Sequence, residues 1–518
     1  MNSTPTQLRN GLSRRELFRY GGAAAVAAGS TIALPGCATS SNRAAAPPRR
    51  RDGGRPRNVV LLVCDGMSAG VPSVAEPFSR QTRGRGTVWH RMMSDPKMTH
   101  GLLATRSLNS LVTDSAAAAT AWGSGSQVNN FALNVLPGPS GDAEVDGVKL
   151  MPLGRLLADK GLPTGLVTTD AIVGATPAGF AAQQANRRNY DAIARDYLDA
   201  GVEVLLGGGL AAFDPKQRED ATDMVAEYRK RGYDHLAGRD QVRAARGGRK
   251  LLGLFAERTM PYTLDHRNSP QLRASTPTLA EMSRAALTAL AADRDGFFLM
   301  IEAARVDHAA HNNDPAAILW DQIAFDDAVE AVMDFAEDRG DTLVIVTSDH
   351  GNANFALNGT GSRYAHTNEH FVRIADATAS FDLIPGMIKQ AARGGDPVAA
   401  TQRVIRQATG APCDARYARQ IHALVNRAPD TLVGEEGYRD VFNQHQNWNG
   451  ILGQVVGNHT GTGWSGVSHT ADHVILTATG PGSGALAGLR HHTALHDVLA
   501  DAFGIKHTNP TREAVVPA

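Results

Sequence analysis

Apolar residues along this chain gather in short unbroken runs rather than in the alternating rhythm of a half-exposed sheet. Asn58-Val-Val-Leu-Leu-Val-Cys64 is the first, and residues 165–169, 202–206, 297–301, 342–347 and 474–477 repeat the pattern. A run with no polar face predicts a strand covered on both sides, as in a largely parallel sheet. Between the runs the apolar positions spread to helical spacing, most clearly over 279–292 and 315–338. Strands alternating with helices predict an α/β chain, an α/β/α sandwich around a central, mostly parallel sheet. Residues 355–465 lack such runs and read as an insertion on the active-site side, a lid or crown. No internal repeat is evident.

In a sheet of this kind the chemistry lies beyond the carboxyl ends of the strands. The polar residues that close or follow the runs are Asp65, Glu302 with Asp307, and Asp349 with His350. Carboxylate and imidazole donors converging on one point are what a zinc or magnesium ion requires. Asp307 and His311 are spaced i, i+4, which puts both on one helical face as a ligand pair, while His308 faces elsewhere and suits a rim position. Ser468-His469-Thr-Ala-Asp472-His473 precedes the last run; His469 is the candidate ligand there, and His473, at the strand start, a structural residue. These donors outnumber what one zinc ion takes, and two cations about 4 Å apart can clamp both oxygens of an in-line displacement.

Val112-Thr-Asp114-Ser115-Ala-Ala-Ala-Ala-Thr120 sets a serine before a run of strong helix formers. Ser115 is then expected at a helix N-terminus, where free N–H groups and the dipole favour a bound phosphate. Taken alone, the motif also suits a plain capping serine. A serine hydroxyl needs an activator. No histidine follows in a Ser-His arrangement, so a metal is the natural candidate.

Composition narrows the class. The chain has 518 residues, 42% of them hydrophobic and 20% charged, the profile of a globular protein. The formal net charge of zero hides an asymmetry. Ten Arg fall in residues 1–57 against only Glu16 and Asp52, leaving 42 basic and 50 acidic residues beyond, a net of −8. That balance gives no support to nucleic-acid binding. Arg14-Arg15 precedes a short Ala/Gly run ending in Leu34-Pro35-Gly36-Cys37, so residues 1–37 read as a twin-arginine export signal with a lipobox-like end. The run is too short for a permanent membrane span, so any membrane attachment is through a lipid on Cys37. The expected location is periplasmic or cell-surface. Residues 38–57, rich in Ser, Ala, Pro and Arg, read as a flexible tether to a single catalytic body over 58–518. Beyond Cys37 only Cys64 and Cys413 remain, too few for a disulfide scaffold. Cys64 reads as a buried thiol.

Taken together, these motifs resemble the alkaline phosphatase family over roughly 58–355 and 464–505. Leu206-Gly-Gly-Gly209, Gly253-Leu-Phe255, Pro277-Thr-Leu-Ala-Glu-Met282 and Phe325-Asp-Asp-Ala328 carry the likeness further. The resemblance implies hydrolysis of phosphate monoesters, with Ser115 phosphorylated and then dephosphorylated by a zinc-activated water. It implies one zinc held by Asp307, His311 and His469, and a second held by Asp65, Asp349 and His350 beside Ser115. It implies a magnesium ion shared by Asp65, Glu302 and Thr176, a substrate-gripping Arg187 oriented by Asp114, and a homodimer. Arg188 is the alternative one place along. A planar guanidinium suits a bidentate grip on phosphate better than lysine does.

Where the family often has Asp or His, two residues before Thr176, this chain has Gly174, which implies a magnesium site that is weaker or otherwise occupied. Arg363, His366, His370 and His459 of the 355–465 segment match nothing and receive no role. A sulfatase would need a C/S-x-P-x-R setting that Asp114-Ser115-Ala116-Ala117 does not offer. A phosphodiesterase commonly has Thr as nucleophile, and Arg187 suits a dianionic monoester instead. A phosphate-binding surface lipoprotein without catalysis would have lost Ser115 or a zinc ligand, and none is missing.

Overall fold

The computed structural model describes residues 54–337, 339–426 and 447–512. The expected export signal at 1–37, with Cys37, and most of the tether at 38–57 therefore lie outside the described residues.

The apolar runs become strands of one sheet. In chain order these are β1 (Asn58–Cys64), β2 (Thr99–Ala104), β3 (Thr164–Ala171), β4 (Val204–Gly208), β5 (Tyr233–Leu236), β6 (Lys250–Leu254), β7 (Phe298–Ala303), β8 (Thr342–Thr347), β9 (Val474–Thr479) and β10 (Gly488–His491). Together they form a ten-stranded sheet in the order β10-β2-β9-β8-β1-β7-β3-β4-β6-β5. From β8 across to β5 every neighbouring pair is parallel. β9 runs antiparallel to both β8 and β2, and β10 parallel to β2. The expected α/β fold with a mostly parallel sheet is the fold observed.

Period-two alternation explains why the runs have no polar face. Val60, Leu62 and Cys64 of β1 join the core on one side of the sheet, whereas Val59, Leu61 and Val63 join the core on the other. β7 and β8 divide in the same way. Fully burying a Val, Leu or Ile side chain is worth roughly 1.5–3 kcal/mol, so these strands are driven to the sheet centre. One core is covered by α3 (Leu279–Leu290) and α5 (Pro315–Glu337); the other lies against α1 (Ser115–Ser124) and α2 (Ala175–Ala178). α3 starts at a capping box between Thr278 and Glu281, which satisfies two orphan donors at once. The short α4 (Arg305–His311) follows β7 directly.

The 355–465 segment is largely helical where described: α6 (Ile384–Ala391), α7 (Pro397–Thr409), α8 (Ala415–Val425) and α9 (Trp448–Thr460). These helices have their own apolar cluster, including Phe381, Ile388, Val404, Ile421 and Leu452. Polar contacts tie it to the loop around α4. Phe381 N donates to Asp314 Oδ2 (2.8 Å), and Arg305 donates to Asp382 Oδ2 (2.6 Å). Cys64 and Cys413 are both free thiols, Cys64 buried with its Sγ 3.1 Å from Gln322 Oε1. Among the described residues no helix is long and apolar enough to cross a membrane.

Candidate active site

β1, β7 and β8 are neighbours at the centre of the sheet and end together, so residues remote in sequence meet there. Asp65 follows β1, Glu302 closes β7, and Asp349 and His350 follow β8. Gly66 has a φ of +66°, and any Cβ there would collide with the Asp307 carboxylate. The turn after β1 thus needs glycine for both its backbone and its close approach. His469 arrives from the far end of the chain through a two-residue strand pair, His469 facing Asn352.

Ser115 is the first residue of α1 and is buried. Asp114 caps the helix, its Oδ1 accepting from Ala117 N at 3.0 Å, a bond worth about 1 kcal/mol. Its Oδ2 accepts from Arg187 Nη1 at 2.9 Å and from Phe131 N at 3.2 Å. One carboxylate therefore sets the helix start and the guanidinium together. Arg187 is the arginine brought to the site, while the exposed Arg188 lies 5.5 Å from the ring of Phe131. The fold also makes a pair absent from the sequence pattern: Ser115 Oγ is 3.2 Å from His350 Nε2.

Among the described residues, two donor groups have ligand atoms within 4.8 Å of one another: Asp307, His311 and His469, and Asp65, Asp307 and His350. Asp349 belongs at the second focus as well, its Oδ2 lying 3.2 Å from His350 Nε2. Asp307, expected to serve the first focus, reaches both.

Hydrogen bonds fix which atoms point inward. His311 Nδ1 lies 2.7 Å from Val467 O and His469 Nδ1 2.9 Å from Thr113 O. A carbonyl only accepts, so each Nδ1 carries a proton, and the two Nε2 atoms face each other at 3.1 Å. That approach demands a positive charge between or upon them. Burial resists protonation of His311, but Asp307 at 3.4 Å and the Val467 carbonyl outweigh it and lift the imidazole to about 9. Burial holds His469 down at about 4, with His350 adding to the effect. A proton can satisfy two of these donors; a divalent cation satisfies all three.

The second focus has the same deficit. His350 Nδ1 faces Gly351 O at 3.3 Å, and burial holds this imidazole at about 4, so its Nε2 presents a lone pair. That lone pair faces Asp349 Oδ2, and Asp65 Oδ1 at 3.6 Å, both buried without a hydrogen-bond partner among the described residues. Burial and mutual repulsion push the Asp65 carboxyl well above the carboxylate range, and burial pushes Asp349 to about 6. Acceptors converging in this way fit a cation.

Glu302 and Thr176 lie beside this focus. Glu302 Oε2 accepts from Thr168 Oγ1 at 2.5 Å. Thr176 Oγ1 is buried and has no well-formed hydrogen bond among the described residues, although it lies close enough to Glu302 to favour its charged form. The structure therefore brings together Asp65, Asp114, Ser115, Thr176, Arg187, Glu302, Asp307, His311, Asp349, His350 and His469. His308 instead accepts from Arg305 Nη1 at 2.8 Å, and His473 is exposed ahead of β9. His366 pairs with Glu369 on the surface of the 355–465 segment.

Three residues escaped the sequence reading. Asn352 Nδ2 donates to Asp307 Oδ1 at 2.7 Å and orients that carboxylate. Thr168 supports Glu302, and Asp170 follows it. The last two sit directly at the end of the 165–169 run, where the strand-end rule would have found them.

Comparison with known proteins agrees with this geometry. The family model described as alkaline phosphatase matches residues 56–505. The chain is 29% identical over 459 residues to alkaline phosphatase 3 of Bacillus subtilis (strain 168), covering 85% of this chain and 87% of that protein. It is 34% identical over 343 residues to streptomycin-6-phosphate phosphatase of Streptomyces griseus, covering 57% of this chain and 74% of that one. Among solved structures, the alkaline phosphatase of Thermus thermophilus superposes with a TM-score of 0.79 at 30% identity, over 92% of this chain and 98% of that one.

Proposed function

This chain belongs to the alkaline phosphatase family, and on that premise we propose that it converts phosphate monoesters to an alcohol and inorganic phosphate through a phosphoserine at Ser115, assisted by two zinc ions. The observation that carries the reading is Ser115 Oγ, at the first turn of a buried helix, set against two foci of imidazole and carboxylate acceptors. Asp307, His311 and His469 would hold one zinc, and Asp65, Asp349 and His350 the other. Bound there, zinc would lower the pKa of the serine hydroxyl, neutralise the departing ester oxygen and activate the water of the second step.

The chain's own residues supply the rest. Ser115 Oγ forms a bond to phosphorus as the ester oxygen leaves with its electron pair, and water then cleaves the phosphoserine. The dipole of α1 favours the negative charge held at its N-terminus. Arg187, anchored by Asp114 through Nη1, grips two oxygens of the dianion; its charge is secured by Asp114 despite burial. A diester has one charged oxygen fewer for that grip.

The reading is tested by comparing a chromogenic monoester with the matching diester, with and without chelator. Monoester turnover should dominate, vanish with chelator and return with zinc. Turnover indifferent to chelator, or faster on the diester, would sink it.

Export through the twin-arginine signal, a lipid on Cys37 and assembly as a homodimer belong to the same proposal, resting on Arg14-Arg15, on Leu34-Pro35-Gly36-Cys37 and on the family. The mass of the mature chain and of its assembly checks them. An unprocessed, unmodified monomer would refute all three.

A further inference from the structure

The helix that carries Asp307 and His311 is too short to hold itself. α4 has seven residues, and Ala304 before it offers no side-chain cap. An isolated helix of that length is unstable in water. Yet its two ligands must keep a fixed aim if they are to hold a cation. Val306, Ala309 and Ala310 are buried in the core, but apolar packing is non-directional. At the start of the helix Thr169 Oγ1 accepts from Ala304 N at 3.0 Å. Where the ends of α4 point is otherwise left to polar side chains.

The 355–465 segment grips both ends through one carboxylate. Asp382 Oδ2 accepts from Arg305 Nη2 at 2.6 Å, and its Oδ1 accepts from Asn312 Nδ2 at 3.0 Å. Arg305 is the first residue of α4, and Asn312 follows its last. The Arg305 guanidinium is buried 3.5 Å from the centroid of the Tyr262 ring, with Asp382 as its ion-pair partner. Asn449 of α9 adds a second grip at the far end. Its Nδ2 donates to His311 O at 3.3 Å and to Asn312 Oδ1 at 3.1 Å. Asp382 is itself held in place. Ser380 Oγ donates to Asp265 Oδ2 at 2.6 Å, Phe381 N donates to Asp314 Oδ2 at 2.8 Å, and the Phe381 ring lies in the segment's own apolar cluster. Three successive residues thus fasten the segment to the body, and the charged one reaches the ligand helix, where ionised acceptors make the stronger bonds.

We propose that Asp382 is a positioning residue for the metal centre: by holding both ends of α4 it keeps Asp307 and His311 aimed at the first focus. The helical 355–465 segment then acts on the site by bracing a ligand helix, without supplying a ligand of its own. This inference rests on the two-zinc reading above, and its test separates the two.

Zinc release to a chromophoric chelator and amide hydrogen exchange by mass spectrometry are followed on the full-length protein, for wild type, Asp382→Ala and Asp396→Ala. The Asp382 side chain is 44% exposed, so its loss leaves no buried cavity. Asp396 caps α7 of the same segment, accepting from Val398 N at 3.0 Å, so its variant loosens the segment without cutting the clamp. Asp382→Ala should release one of its two zinc ions about tenfold or more faster than wild type. In the metal-free protein, amides of 305–312 should exchange about tenfold faster, with 397–425 unchanged. Asp396→Ala should release zinc as wild type does. Zinc release or exchange of 305–312 within about twofold of wild type would overturn the inference. So would an equal effect of Asp396→Ala. Absence of zinc from wild type counts against the two-zinc reading alone, because exchange across 305–312 still decides whether Asp382 clamps α4.

Discussion

Ser115→Ala is expected to lower monoester turnover by about 10⁴-fold or more, which corresponds to roughly 5.5 kcal/mol of transition-state stabilisation. The change removes one oxygen from a residue followed by Ala116-Ala-Ala-Ala119, so the helix loses nothing in propensity. Its cap is untouched, because Asp114 rather than Ser115 accepts from Ala117 N. Among the described residues the hydroxyl pairs with His350 Nε2, a bond whose net worth to folding is about 1 kcal/mol. Stability and zinc content should therefore stay near wild type while the covalent step disappears. Labelling with a radioactive phosphate ester gives a phosphoprotein from wild type and none from the variant. If zinc left with the hydroxyl, or turnover fell less than tenfold, Ser115 would be a structural residue and the phosphoserine route would be wrong.

Much of this site was legible before folding because it obeys a rule about strand ends. Asp65, Glu302, Asp349 and His350 stand at the carboxyl ends of runs whose burial on both faces made them conspicuous. Strands β2, β5, β6 and β10 were not conspicuous. β2 and β10 flank the antiparallel edge of the sheet and β5 closes the other; β10 is exposed along most of its length and β2 alternates. β2, β5 and β10 mix polar and apolar residues, so no unbroken run announces them, while β6 is buried over 251–254 but its apolar run is broken by Gly253. Other features depend on contacts across hundreds of residues. No local pattern could pair Ser115 with His350, or set Asn352 against Asp307. Asp170 is a different case. It stands directly after the 165–169 run, where the strand-end rule reaches it as it reaches Asp65.

The reach of Asp307 across both foci makes its removal the most damaging change to the metal centre. Its Oδ2 lies 3.4 Å from His311 Nε2 and its Oδ1 3.6 Å from His469 Nε2, and it also belongs to the group with Asp65 and His350. Burial alone would raise its pKa, yet His311 and the other imidazoles hold it well below the carboxylate range, so it stays charged despite burial. Asp307→Ala should reduce zinc from two ions per chain to one or none and lower turnover by about 10⁴-fold or more. The metal-free protein should change less, because two effects oppose. The variant loses the charge that supports His311, but it relieves the repulsion that Asp307 exerts on Asp65 and Asp349. The contrast appears in thermal unfolding. A ligand present at a hundred times its Kd stabilises the folded state by about 2.7 kcal/mol. Chelation should therefore lower the melting temperature of wild type and lower that of Asp307→Ala clearly less, by no more than the loss of one ion. A variant that kept both zinc ions, or still lost stability to chelator as wild type does, would show that the first focus does not depend on Asp307.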